Sequence, residues 1–272
     1  MRQLLKPLAF VLVAGIAITS CKKEAKEQPQ DEISQETLTK IYNHGFGTSN
    51  VAKIEEGYLV EGDIILTEEF LNSTPGGSLL RIGNTEQYHT TNLVSGPQVI
   101  SVSLDSKLAA IAGYSDALAE MVNRYNAQNL TLTFQVGGSG ADASIRFVNA
   151  NGPYLGSSGF PSNAGDPYGQ VKLYSRNIGS GTSSTFVNYL ATIMAHEVGH
   201  CIGFRHTDYA DRSFSCGGAY ANEGASSVGA IYIPGTAVGP YDDPSSFMLA
   251  CISRNQNRPF NSNDRTALNY LY

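Results

Sequence analysis

The sequence predicts a mixed α/β fold of the α+β type, built on a twisted sheet. The predicted elements of its larger part follow the order β-α-β-β-β-α, which favours a sheet layered with helices. The chain of 272 residues is 42% apolar and only 15% charged, so it can bury a core, and wholesale disorder is excluded. Its 28 Gly, 15 Tyr and 11 Phe are typical of a loop-rich secreted domain. A net charge of −6 excludes the concentrated basic face that nucleic acids need.

Residues 1–21 are expected to be a targeting signal. Two basic residues precede the apolar run Leu8–Ile18, which is too short to span a bilayer. A small residue before Cys21 resembles a bacterial lipobox, so we expect cleavage there and lipidation of Cys21. The alternative is an ordinary signal peptide with a chance cysteine. Residues 22–33 are polar and suit a tether.

Lipidation would anchor the chain in a bacterial cell envelope, at the outer membrane or the cell surface. The three remaining cysteines are Cys201, Cys216 and Cys251. An oxidising compartment allows one disulfide among them, in any of three pairings, and the alternative is three unpaired buried thiols. We expect the protein to be a monomer that contacts the membrane only through its lipid.

Residues 34–88 form a first unit that is small for an independent domain. A short amphipathic helix over residues 34–44 is expected to end at Gly45. A strand follows over Tyr58–Ile65, and Thr67 is expected to cap a short helix through Leu71.

Residues 89–272 form the second and larger unit. Alternating apolar residues predict its strands, apolar residues at helical spacing predict its helices, and Gly203 is expected to end the long central helix. The expected elements are a strand over Val99–Leu104, a helix over Asp116–Tyr125, strands over Leu130–Val136, Ser144–Val148 and Val171–Tyr174, an irregular rim over Gly152–Gly169, a helix from Ser184 to Ile202, and a final helix over Asn263–Tyr272.

The central helix carries the motif His-Glu-Val-Gly-His-Cys-Ile-Gly-Phe-Arg-His over residues 196–206. His196 and His200 are four residues apart, so both imidazoles leave one face of the helix and can bind one zinc ion. Gly203 can adopt a left-handed turn, which lets the chain reverse and bring His206 to the same ion. Three of the five histidines fall within these 11 residues, which a helix with surface histidines leaves unexplained.

This arrangement predicts one catalytic zinc ion. Three imidazoles leave the fourth zinc position for water, as catalytic zinc sites do. Glu197 can take a proton from that water, and the resulting hydroxide can attack a peptide carbonyl.

The extended motif resembles that of the metzincin metallopeptidases. Within them, residues 196–208 are most similar to the dual-action HEIGH metallopeptidases of bacteria, with Val198 where the family name has Ile. The resemblance implies a metzincin-like zincin fold with an active-site helix, a Gly turn, a Met-turn and a C-terminal helix. It also implies endopeptidase activity with His196, His200 and His206 as zinc ligands and Glu197 as general base. A thermolysin-like zincin would instead take a downstream Glu as its third ligand.

Some positions outside the motif match the metzincin pattern, and others do not. Met248 fits the Met-turn beneath the zinc site, but Ala250 stands where astacins and serralysins have a Tyr, so the oxyanion donor is not identified. Asp208 can orient a ligand imidazole, although we favour a role in capping a turn. Residues 156–161 fall where the family has an upper-rim edge strand that can pair with an extended substrate. The alternative there is a plain surface loop.

The first unit is a candidate pro-segment. Residues 60–64 (Val-Glu-Gly-Asp-Ile) resemble the pro-segment signature of astacins, in which an Asp occupies the open position of zinc, although Val60 replaces the Phe of that signature. The resemblance implies that Asp63 is a latency switch and that cleavage would release the catalytic domain. The alternative is a β-turn with a solvated acid.

Two functions from different classes remain. The first is a zinc-dependent endopeptidase, a hydrolase of proteins or peptides that is made as a latent lipoprotein zymogen. The second is a surface-anchored binding or adhesion lipoprotein with a non-catalytic zinc site, but such a site normally closes its fourth position with a protein ligand. Calcium binding by Asp211, Asp242 and Asp243 is conceivable, but solvated loop acids explain these residues better.

Overall fold

The computed structural model describes residues 33–73, 87–222, 230–237 and 243–272. The expected lipoprotein signal with Cys21, and the tether up to residue 32, lie outside the described residues. The described parts of the predicted pro-segment and catalytic domain both lie in one compact unit, Ile33–Tyr272. No helix within the described ranges is long and apolar enough to cross a membrane.

Short helices and strands alternate along the described chain. The helices are α1 Gln35–Asn43, α2 Glu68–Asn72, α3 Ser106–Ala109, α4 Tyr114–Asn126, α5 Ser175–Ile178, α6 Ser184–Cys201, α7 Ser213–Cys216 and α8 Ser262–Leu271. The strands are β1 Ala52–Ile54, β2 Gly57–Val60, β3 Ile64–Leu66, β4 Tyr88–His89, β5 Gln98–Leu104, β6 Leu132–Val136, β7 Ala143–Asn149, β8 Gly156–Gly159, β9 Gln170–Leu173 and β10 Ile231–Tyr232.

One mixed sheet organises the molecule, in the strand order β1-β2-β3-β8-β9-β7-β5-β6. Strands β6, β5, β7 and β9 are parallel, and β8 is antiparallel to β9. The antiparallel strands β1, β2 and β3 extend this sheet, with β3 parallel to β8. The predicted mixed α/β class is confirmed, and the arrangement is compatible with a zincin fold.

Two separate apolar cores hold the unit together. The main core joins the sheet to α4, α6 and α8 through residues such as Val102, Met121 and Met194. The second core consists of Ile41, Phe46, Tyr58, Val60, Ile64, Leu66 and Leu71, with Phe160 as its contribution from beyond residue 73. The first unit therefore buries most of its apolar side chains against one another.

The predicted helices are found close to their expected positions, and Thr67 caps α2 by accepting a hydrogen bond from the amide of Phe70. The prediction of one strand over Tyr58–Ile65 is wrong. Positive φ angles of 54° at Glu61 and 91° at Gly62 turn the chain between β2 and β3. The apolar residues on both sides of this turn together have the pattern of a single strand, so the pattern does not reveal the turn.

The cysteine pairing that the sequence left open is resolved here. Cys216 and Cys251 form a disulfide, and Cys201 is a free, buried thiol. The disulfide ties α7 to the chain just after Met248. It therefore braces the loop that follows the central helix.

Candidate metal centre

Helix α6 and the turn after it position three histidines. Ser183 caps the helix by accepting a hydrogen bond from the amide of Phe186, and the helix ends at Cys201. Gly203 then has a φ of 112°, and a Cβ there would lie 2.9 Å from the carbonyl oxygen of Asn92. Only glycine fits this reversal without strain, and the reversal brings His206 back to the face of the helix.

Asp63 from the β2–β3 turn joins these histidines in one buried group. Four ligand atoms, one each from Asp63, His196, His200 and His206, lie within 4.8 Å of one another. The Nε2 atoms of His196 and His200 are 3.2 Å apart. Asp63 Oδ2 lies 3.2 Å from Nε2 of His206 and 3.7 Å from Nε2 of His196. Asp63 is only 8% exposed, so the alternative of a solvated turn acid does not hold.

Backbone carbonyls set the orientation of two imidazoles. Nδ1 of His196 lies 2.9 Å from the carbonyl oxygen of Phe247, and Nδ1 of His200 lies 2.8 Å from that of Phe204. Because a carbonyl oxygen only accepts, each Nδ1 must donate, which leaves the lone pair of each Nε2 facing the group. Burial and the neighbouring imidazoles hold the pKa of His200 well below its ordinary value, so this ring is neutral.

The donor set of this group fits zinc. Three imidazole nitrogens and one carboxylate oxygen are ligands that zinc takes readily. Asp63 Oδ1 is buried and accepts no hydrogen bond within the described residues. A cation between the four side chains would compensate this buried negative charge. Burial opposes ionisation of Asp63, but His206 and His196 outweigh it and hold the pKa of this carboxyl well below its usual range.

The described residues contain no second cluster of three or more such ligand side chains. Asp211 accepts hydrogen bonds from the amide and hydroxyl of Ser213. Asp243 is buried and accepts from Gln87 and Asn261, so the expectation of a solvated acid is wrong there. Asp242 lies outside the described residues. Calcium binding therefore gains no support.

Glu197 lies beside the histidine group against strand β8. Its Oε2 accepts a 2.7 Å hydrogen bond from the hydroxyl of Ser158, and its Oε1 packs on Gly156, where a Cβ would overlap the carboxylate. Burial, and then the charge of Asp63, raise the pKa of Glu197 well above its ordinary value. A carboxyl of this kind next to a metal site can accept and return a proton near neutral pH.

The loop containing Met248 packs beneath the group. Met248 is fully buried, and its Sδ lies so close to α6 that a Cβ on Gly199 would meet it at 2.5 Å. The amide of Thr207 donates to the carbonyl of Met248. Asp208 accepts hydrogen bonds from the amides of Ala250 and Ser215, so it holds this loop by its backbone and does not contact an imidazole.

Comparison with protein families matches residues 59–272 to the dual-action HEIGH metallopeptidases. The chain belongs to this family. Its members are metallopeptidases, so the reaction class is hydrolysis and the substrates are proteins or peptides. The resemblance inferred from residues 196–208 is thereby confirmed. A search of curated proteins gives no match to the chain.

Sequence reasoning missed the residues that fix Asp63 in this metallopeptidase. Arg205 is fully buried, and its Nη2 donates to both carboxylate oxygens of Glu61, at 2.7 and 2.9 Å. The same guanidinium donates to the carbonyl of Gly45 and lies over the ring of Phe46 at 4.3 Å. The available signal was a charged residue, Arg205, set directly between Phe204 and a predicted ligand.

The expected edge strand exists as β8, but in the described chain it is not at an edge. Strand β3 pairs with it in parallel, with Ile64 opposite Ser158 and Ile65 opposite Gly159. The amide of Ser158 donates to the carbonyl of Asp63 at 2.8 Å. The segment that carries Asp63 therefore covers the strand on which a substrate was expected to pair.

Proposed function

We propose that this chain is a zinc endopeptidase that is made as a latent precursor and anchored by lipid on Cys21. The observation that carries this proposal is the position of the Asp63 carboxylate, in contact with two of the three histidines that would hold the metal. His196, His200 and His206 are the proposed zinc ligands. Zinc, when bound, polarises the substrate carbonyl and lowers the pKa of water.

Glu197 has the role of general base in this proposal. Its raised pKa suits a group that takes a proton from the attacking water and returns it to the leaving amine. Ser158 holds one carboxylate oxygen of Glu197 in place. The carbonyls of Phe247 and Phe204 hold His196 and His200, so the ligands are oriented before a substrate arrives.

Latency follows from two contacts of residues 34–88. The Asp63 carboxylate stands where the fourth ligand position of a three-histidine site would be filled by water or substrate. Strand β3 takes the backbone hydrogen bonds of β8 that an extended substrate would need. Proteolytic removal of the segment that carries β2 and β3 would open both places at once.

The proposed cellular setting is a bacterial envelope. The anchored precursor would be held at the outer membrane or the cell surface, and cleavage after the first unit would free the catalytic domain. We propose that this domain acts as a monomer on proteins or peptides.

The alternative, a binding lipoprotein with a structural metal, has one observation in its favour. With Asp63 the group has four protein ligands, as structural zinc sites do. However, a structural site gives no role to Glu197, which is buried beside it with a raised pKa. The two proposals differ in what they expect once residues 34–88 are removed.

The test uses the chain from Lys22 and its Glu197→Ala variant, each measured for bound zinc and for casein cleavage before and after limited trypsin treatment. The endopeptidase proposal expects zinc near one per chain in both proteins. It expects casein cleavage only in the trypsin-treated parent, and loss of that cleavage when a chelator removes the metal. Losing the general base should lower the rate by about 10²–10⁴-fold.

The outcomes separate the two functions. Bound zinc without cleavage of casein under any condition would support the binding lipoprotein. Casein cleavage that persists in the Glu197→Ala variant would show that Glu197 is not the general base. Asp116→Ala, which changes an exposed acidic residue on α4, serves as the control and should cleave like the parent.

A further inference from the structure

A cavity of about 240 Å³ opens beside the histidine group, on the side of Glu197. It lies between helix α6 and the chain that follows Met248, and its walls include Ile193, Phe247 and Leu249. The volume is several times that of one water molecule and suits a single amino-acid side chain. A residue next to the cleaved bond would reach it, because Glu197 and His196 line its rim.

Arg258 also lines this cavity, and its charge has no carboxylate partner there. It is 7% exposed. Its Nη1 donates to the carbonyl of Cys251 and its Nη2 to Oε1 of Gln256, but its buried Nε has no hydrogen-bond partner among the described residues. No carboxylate oxygen of the described residues lies within 4.0 Å of its nitrogens, and Asp208 and Asp264 act on it only from farther away.

This charge carries an electrostatic cost of burial that Asp208 and Asp264 offset only in part. Burial lowers the pKa of Arg258, yet a guanidinium remains charged at any physiological pH. Buried charges in proteins are ordinarily paired, and a cavity that ends at an unpaired one is suited to an anion. An apolar side chain in the cavity would leave the charge uncompensated, whereas a carboxylate would supply its partner.

A second guanidinium stands at the mouth of the cavity. Arg212 lines the cavity and contacts Gly62 and the carbonyl of Glu61, both of the first unit. Removal of the segment that carries Glu61 would take that carbonyl away from Arg212. Among the described residues, Arg212, Arg258 and Glu197 would then be the acidic and basic residues other than His196 that line the cavity.

We infer that this cavity binds an acidic side chain of the substrate, at a residue adjacent to the bond that is cleaved, with Arg258 as its counter-ion. The inference rests on the proposed peptidase function. Arg258 is thus a specificity-determining residue, because it contacts the substrate side chain and not the reacting atoms.

The test compares quenched fluorescent peptides that differ only by Asp or Asn, placed at either position flanking the cleaved bond. A peptide library identifies the parent bond first. The activated enzyme is expected to favour Asp over Asn at one flanking position by at least about tenfold in kcat/KM, the equivalent of one charge-assisted hydrogen bond. Arg258→Gln should bring that ratio close to one, and Arg258→Lys should restore part of it. Arg265→Gln, an exposed residue with the same charge change, should keep the parent ratio.

Binding to the Glu197→Ala variant gives a readout that does not depend on turnover. The Asp peptide should bind at least about tenfold more tightly than the Asn peptide, and adding Arg258→Gln should abolish that difference. Far-ultraviolet circular dichroism and the unfolding midpoint show whether Arg258→Gln still folds, and Arg258→Lys tests the charge if it does not.

The failures are distinguishable. If the activated enzyme cleaves peptides with equal kcat/KM for Asp and Asn at both positions, the cavity inference is overturned and the peptidase proposal stands. If no peptide in the library is cleaved, the peptidase proposal itself fails. An Asp preference that persists unchanged in Arg258→Gln would assign the recognition to another residue.

Discussion

The two faces of the histidine group are built in different ways. Behind the imidazoles, the carbonyls of Phe247 and Phe204 and the side chain of Met248 come from the second unit, as the three histidines do, and these residues belong to the main core. In front of them, Asp63 comes from a hairpin more than a hundred residues earlier in the chain, whose apolar residues form the second core. The rear therefore belongs to the main core, whereas the front is carried by a separate core.

Several contacts attach the front to the rest of the molecule. They include the pairing of β3 with β8, the contacts of Phe160 with the second core, and the ion pairs of Glu61 with Arg205 and of Glu56 with Lys172. Removing the hairpin would leave the main core intact, since the residues of the second core other than Phe160 would leave with it. Under the proposed latency, a blocking segment held in this way could leave without weakening the main core.

The largest expected effect comes from Asp63→Ala, which removes the front ligand and leaves the rear unchanged. Loss of one partner of a buried ionic contact costs about 3–5 kcal/mol, so we expect the casein-cleaving activity of the uncleaved chain to rise by roughly 10²–10⁴-fold. The measurement compares activity before trypsin treatment, with Asp116→Ala on α4 as an exposed charge-matched control. An uncleaved Asp63→Ala chain as silent as the parent would show that β3, and not Asp63, blocks the site.

Glu61→Ala should loosen the hairpin without touching the metal group. The buried guanidinium of Arg205 would lose the anion that accepts two of its hydrogen bonds, at a cost of about 3 kcal/mol. We expect faster trypsin cleavage within the first unit and partial activity of the uncleaved chain, while the released catalytic domain unfolds as in the parent. Glu69→Ala, exposed on α2, is the control and should change neither rate. Equal cleavage rates in the Glu61 and Glu69 variants would rule out the ion pair as the latch.

These contrasts also explain what the sequence could predict. His196, His200 and Gly203 act through fixed local spacing on one helix and one turn, so a single motif was enough to bring the histidines together. The pairing of Glu61 with Arg205 spans 144 residues, and nothing in local periodicity reports a contact at that distance. The same limit applies to Arg258, which reaches the cavity only because the chain after Met248 folds back against α6.

The turn at Glu61 and Gly62 shows a second limit. The apolar pattern predicts that a segment is extended, but it does not predict whether the chain reverses within that segment. One strand was therefore expected where two antiparallel strands are found. The reversal depends on a left-handed conformation at Glu61, a residue type that adopts it rarely. The side chain of Glu61 is held in place by hydrogen bonds that it accepts from Arg205, a residue of the second unit.

Met248 tests the rear of the group. Met248→Ala would leave a cavity beneath α6 and should lower the free energy of unfolding by about 2–3 kcal/mol, whereas Met248→Leu conserves volume and should cost less than about 1.5 kcal/mol. Zinc affinity should fall in the Ala variant, because Gly199 of α6 rests on this side chain. Latency should be unchanged in both variants. A latent chain that becomes active in Met248→Ala would contradict the separation of front and rear.

The smallest effects come from a matched pair of helix caps. Ser34 caps α1 in the first unit and Ser183 caps α6 in the second unit, and both are exposed serines that accept a hydrogen bond from an amide in the first helical turn. Each Ser→Ala change should cost about 1 kcal/mol. Because the first unit has its own core, Ser34→Ala should speed tryptic removal of that unit by roughly fivefold and leave the unfolding midpoint of the main core, measured in the uncleaved chain, unchanged.

Ser183→Ala should do the opposite: it should lower the unfolding midpoint of the main core in the uncleaved chain and leave the rate of tryptic removal as in the parent. The caps are matched in residue type and exposure, so only the core to which each helix belongs differs between them. If both changes altered both measurements equally, the two cores would unfold as one, and removal of the first unit would weaken the main core. If each change stays within its own unit, the hairpin is free to leave a catalytic domain that is already folded.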